Sequence, residues 1–161
     1  MKTGFLFLIL FNSSIFFAQR TMVNQREIRP FGIGIQAIGP TIIGQVVAQY
    51  FITPNFSIEV GSGFFPGAYG GVKIHLIEQY SPSPFAVHIG LNGFNSAIGT
   101  YKLYGVSFPV GFNILCQNGI QISADLAFTR YFEGSDDTIP FIPSLKLGYQ
   151  FKRSRAKTLA H

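Results

Sequence analysis

The side chains able to do chemistry are few and widely spaced. His75 and His88 are the two histidines of the central region, and Glu59, Lys73, Asp125 and Lys146 are charges set among apolar and glycine-rich stretches. Two histidines near a carboxylate and a hydroxyl could hold a metal or work as general acid and base. A zinc site needs at least a third ligand. His75 leads into Leu76-Ile77-Glu78 and His88 into Ile89-Gly90-Leu91-Asn92, with no serine alternating on the same face. Both are therefore read as interior structural groups, and no catalytic, cofactor-binding or metal-ligating residue is assigned.

The four charges are read as two pairs, Glu59 with Lys73 and Asp125 with Lys146, placed on neighbouring elements and holding register in an interior. Buried ions persist when paired, because removing one strands the other. Used instead as a conduit, they would line a gated pore. Asp136-Asp137 offers only two carboxylates, too few oxygens for a calcium site, and is read as a solvated loop. Cys116 is the single cysteine, so no internal disulfide forms, and it is read as a small hydrophobe at a strand end. Gly32-Ile33-Gly34 and Gly70-Gly71 open no helix and so are not phosphate loops.

The elements that must position these residues alternate with period two. In the stretch 105–132, Val106, Phe108, Val110, Phe112 and Ile114 alternate with Ser107, Pro109, Gly111 and Asn113. Beyond Gln117-Asn118-Gly119, Ile120, Ile122, Ala124, Leu126 and Phe128 alternate with Gln121, Ser123, Asp125 and Thr129. Asn-Gly supplies the positive φ angles of a type I′ hairpin turn. The same rhythm predicts strands over about 31–38, 42–52, 56–65, 69–77, 85–94 and 141–151, eight with the hairpin. Connections fall at Gly39-Pro40-Thr41, Thr53-Pro54-Asn55, Pro66-Gly67, 78–84, 95–100 and the acidic 133–138. Strands of this length exceed the five or six residues common in soluble sheets.

Composition indicates which face looks where. The 161 residues are 12% charged, 47% apolar and 16% aromatic, with 18 Gly and 18 Phe. A soluble domain carries about 25% charged residues, so too few are present to coat a water-facing sheet. The polar face is Gly, Ser, Gln and Asn, which suits the lumen of a narrow barrel filled by side chains. Net charge is +5, but the cations crowd the flanks, with Arg20, Arg26 and Arg29 before the first strand and Lys152, Arg153, Arg155 and Lys157 at the end. No basic patch interleaves with aromatics, which argues against nucleic acid as a partner.

Residues 1–18 read as a secretory signal peptide: Lys2, an apolar run from Phe5 to Phe11 too short to span a bilayer, and a cut after Ala18. Residues 19–30 read as a polar lead-in, 31–151 as the barrel, and 152–161 as a basic, solvated tail. The expected fold is all-β, an eight-stranded antiparallel up-and-down transmembrane β-barrel.

With these strands, the leader and the ending Leu145-Lys146-Leu147-Gly148-Tyr149-Gln150-Phe151, the chain resembles the small outer-membrane β-barrel family of Gram-negative bacteria, the OmpA/OmpX-like eight-stranded domain. The resemblance covers about residues 31–151. It implies a cell outer membrane location, lipid as the surrounding partner, and the barrel-assembly machinery reading the terminal strand during biogenesis. The chain departs from the pattern by running ten residues past Phe151. The resemblance implies no activity and no cofactor. Two rivals stand beside this non-enzymatic reading. One is a secreted, lipocalin-like binder of a hydrophobic ligand, with Val106, Phe108, Val110 and Phe112 pointing inward. The other is a lipid A-modifying hydrolase using His75 and His88.

Overall fold

The computed structural model describes residues 24–39, 42–63, 67–77, 83–98, 101–132 and 141–154. Residues 1–23 (which include the expected signal peptide), Asp136-Asp137 and the tail from residue 155 lie outside them. Among the described residues one short helix, α1 (Gln25–Ile28), precedes eight strands: β1 (Phe31–Gly39), β2 (Ile42–Thr53), β3 (Phe56–Gly63), β4 (Gly67–Leu76), β5 (Phe85–Ile98), β6 (Tyr101–Leu115), β7 (Ile120–Tyr131) and β8 (Phe141–Phe151). Each pairs antiparallel with the next, and β8 returns to β1, so the sheet is a closed barrel. Closure pairs Phe31 with Phe151 and Ile35 with Leu147, leaving neither strand an open edge. Both ends of the barrel sequence therefore meet at one rim.

The alternation read from the sequence becomes two faces. Ile35, Val60, Leu76 and Leu145 point outward and stay more than half exposed, while Gln45, Glu59, Lys73 and Lys146 point inward and are buried. Phe108, Val110 and Phe112 face out as well, the reverse of the arrangement a binder with these residues at its core requires. Aromatic side chains gather at the rim that holds the termini. Phe31 stacks on Phe151 with ring centroids 6.0 Å apart, Tyr149 meets Phe151 edge-on at 5.2 Å, and Phe85 stacks on Phe112 at 5.9 Å.

Three local expectations are corrected. The β6–β7 turn is not a two-residue loop centred on Asn118-Gly119. The Gly119 N–H donates to Cys116 O at 3.0 Å and the Cys116 N–H to Ile120 O at 2.8 Å, enclosing a three-residue loop. Only Gly119 takes the left-handed position, at φ 98°, as a glycine does after a tight turn in such loops. Residues 95–98, expected as loop, continue β5, because Asn95 and Ser96 pair with Tyr104 and Leu103 and the Asn95 side chain accepts from the Ala68 N–H at 3.0 Å. Gly67, expected to break the chain, opens β4 opposite Ser96.

The polar lead-in also has structure. Asn24 caps α1, its side chain accepting from the Arg26 N–H at 3.0 Å. The Phe51 N–H then donates to Pro30 O at 2.7 Å, tying the lead-in to β2.

Candidate functional site

Strand parity sends the six residues of the expected polar network into the same bore. Glu59 on β3, Lys73 and His75 on β4, His88 on β5, Asp125 on β7 and Lys146 on β8 are all buried. Lys73 Nζ lies 3.0 Å from Asp125 Oδ2 and 3.5 Å from Glu59 Oε1. Lys146 Nζ bonds Glu59 Oε2 and lies 3.2 Å from Gln49 Oε1. Two carboxylates and two ammonium groups thus form one neutral cluster, the form in which ions tolerate burial. Tyr69 Oη lies 2.9 Å from both Glu59 Oε1 and Gln36 Oε1.

The expected pairing of Glu59 with Lys73 is present as the longer contact. The expected pairing of Lys146 with Asp125 is not: Lys146 turns to Glu59, and Asp125 takes Lys73 and His88. In the β7–β8 ladder Asp125 stands opposite Ser144, and Lys146 opposite Ser123. The two are one inward step apart along the wall, whereas Glu59 is reached directly across the bore.

The histidines meet side by side. His75 and His88 are register partners on β4 and β5, with ring centroids 5.4 Å apart. His88 Nε2 lies 2.7 Å from Asp125 Oδ1. His75 Nε2 lies 2.9 Å from Ser57 Oγ, a contact the sequence reading missed. Gln49 Nε2 donates to the same Ser57 oxygen at 3.1 Å, which leaves the hydroxyl proton free to point at His75. A serine beside a histidine, with a second histidine beside an aspartate, has the parts of a nucleophile and its base.

Burial removes the room such chemistry needs. Ser57 is wholly buried, as are both imidazoles. Beside the charges, a cavity of about 10 Å³ lined by Gln36, Asn92, Ser144 and the cluster itself has room for about one water. Among the described residues no group of three His, Cys, Asp or Glu side chains is placed to hold a metal ion.

Amides and hydroxyls fill much of the rest of the bore, beside an apolar cluster of Val47, Tyr69 and Phe94. Gln121 donates to Gln49 at 2.7 Å, Gln150 to Gln121 at 2.6 Å, Gln36 to Ser144 at 2.6 Å and Asn113 to Ser123 at 2.8 Å. Glycines provide the space. A Cβ on Gly111 would press on Asp125 Oδ1, and one on Gly32 on the Gln150 amide. In a barrel too narrow to be hollow, large side chains need small ones opposite.

At the rim with the termini the bore ends in Arg26, which no spacing argument had singled out. Its Nη2 donates to Pro84 O at 3.0 Å and to Asn113 Oδ1 at 2.9 Å, its Nη1 to Ser83 O at 3.3 Å, and its guanidinium sits 6.0 Å from the Phe51 ring centroid. Burial pulls its pKa down to about 10, so it stays protonated at neutral pH. The available signal was Asn24, a capping residue three positions before Glu27, with Arg26 between them. Arg29 closes the same rim from outside, donating to Gln150 O at 3.0 Å and Gln117 O at 2.9 Å.

No family model, curated protein or solved structure matches this chain.

Proposed function

We propose that this protein is a non-enzymatic outer-membrane β-barrel with a structural or surface-interaction role, its lumen filled by side chains. One observation carries the reading: a closed eight-stranded barrel wears most of its Ile, Val, Leu and Phe side chains outside and buries Glu59, Lys73, Asp125 and Lys146 inside. A soluble monomer rarely exposes an apolar patch beyond a few hundred Å², and here the apolar residues run round the whole wall. Hydrocarbon is the solvent in which that wall is stable, because a closed barrel leaves no unpaired backbone edge. The strands have 8 to 15 residues, against about 9–11 needed for a tilted crossing.

Sidedness follows from parity in this reading. The rim with the termini also carries the β2–β3 turn and the three-residue β6–β7 loop, and short turns belong on the periplasmic side. The resemblance to OmpA/OmpX-like domains is part of the proposal, as are the leader cut after Ala18 and recognition of β8 by the barrel-assembly machinery.

Fractionation after expression in a Gram-negative host tests it. Recovery in the outer membrane, with a folded band that shifts on heating in detergent gels, is expected. Recovery in the soluble periplasm with a single unshifted band overturns the proposal. A lipid A-modifying activity is the second reading, favoured only by the 2.9 Å Ser57–His75 contact.

A further inference from the structure

We infer that the termini rim carries a docking surface for the headgroups of anionic phospholipids, centred on Lys152 and Arg153; the inference rests on the membrane reading above. Three observations converge on it. Lys152 and Arg153 follow directly on Phe151 and are both exposed. The Arg153 N–H donates to Ile28 O at 2.8 Å, so the segment is held against the end of α1 rather than left free at the strand end. Directly below the two cations stand Tyr149, Phe151 and Phe31, outward-facing aromatics at the depth where a ring meets the headgroup layer.

The charge distribution selects the sign of the headgroup. At this rim Arg29 adds a third cation, and Glu27 is the one exposed acid among the described residues before β1. Up the wall, the outward side chains of the described strands are uncharged until Arg130, near the opposite rim. Two exposed cations beside an aromatic belt attract a phosphodiester that has no compensating ammonium group, and zwitterionic lipid offers no such net charge. Each Lys or Arg at a membrane surface strengthens association with anionic lipid by roughly fivefold.

The test uses the mature chain reconstituted in nanodiscs of phosphatidylcholine and phosphatidylglycerol. Native mass spectrometry reads which lipids stay bound on release. Preferential retention of phosphatidylglycerol is expected. Lys152→Gln with Arg153→Gln should weaken that preference by up to about 25-fold, and added salt should weaken it too. Arg130→Gln, near the other rim, should leave it unchanged. Equal retention of both lipids by the natural chain overturns the inference while leaving the barrel's membrane residence standing. So does a double variant with undiminished preference. A chain that enters no bilayer overturns the membrane reading and this inference together.

Discussion

Lys146 and Glu59 bond across the bore although their strands, β8 and β3, are not neighbours in the sheet. The contact ties opposite walls, and each partner is wholly surrounded by protein. Lys146→Met leaves Glu59 only the longer contact with Lys73, and Glu59→Gln leaves Lys146 without its carboxylate, so either alone should cost about 3–5 kcal/mol. The double variant should recover much of that loss. Urea titrations of the four proteins, read as a double-mutant cycle, check the coupling; additive losses would refute it.

Arg26 stops the termini end of the bore with charged hydrogen bonds to Ser83 O, Pro84 O and Asn113 Oδ1. Arg26→Ala should destabilise the barrel by about 3 kcal/mol or somewhat more. Arg26→Lys should recover only part of this, because an ammonium group cannot span Pro84 O and Ser83 O as a planar fork does. The temperature at which the folded gel band is lost reports both.

Two glycines of the wall should answer oppositely to the same change. A Cβ at Gly111 meets the Ala124 carbonyl, which is backbone and cannot swing aside, whereas a Cβ at Gly93 meets nothing within 4 Å. Gly111→Ala should cost about 1–3 kcal/mol or block folding. Gly93→Ala should be neutral or stabilise by up to about 1 kcal/mol. Folding yield and urea midpoint distinguish them.

Ser57→Ala and His75→Gln bear on the enzymatic reading. Each removes a buried hydrogen bond worth about 1 kcal/mol, and neither should alter the lipid A of a host expressing the barrel. A lipid A mass spectrum that changes with the natural chain and reverts with Ser57→Ala would establish the hydrolase instead.

Cys116 sits just beyond β6, half-buried, and burial raises its thiol pKa above the ordinary range. The thiolate is the nucleophile, so its population at a given pH is smaller than for a free thiol. Alkylation by iodoacetamide should therefore be slower than for a free cysteine at pH 8, and the gap should narrow as pH rises through the shifted value.

The strands and their faces were legible because a period of two is a local property. Val110 and Asp125 declare opposite sides of the wall from their neighbours alone. Which lumen residues touch is not local. Parity put Asp125 and Lys146 inside on adjoining strands, yet the ladder sets them one inward step apart, and the bore is narrow enough for Glu59 to reach Lys146 first. Ser57 escaped for a similar reason. Sequence spacing relates a serine to His75 or His88 only along their own strands, while Ser57 is on β3, opposite Lys73. Arg26 escaped because a four-residue helix has no amphipathic period to read. The turn at Gly119 was located correctly but misread in type, since Asn-Gly serves both a two-residue loop and the end of a three-residue one.

Closure of the wall by Phe31 and Phe151 also orders events in time. The first strand made has its second partner in the last, about 120 positions later in the chain. Until translation has passed residue 151, β1 can satisfy only one of its two edges. The full cylinder is therefore a product of the finished chain, and any shorter length of it leaves β1 half-paired. A chain ending before Phe141 should thus yield not a smaller barrel but an open ribbon with two adhesive margins.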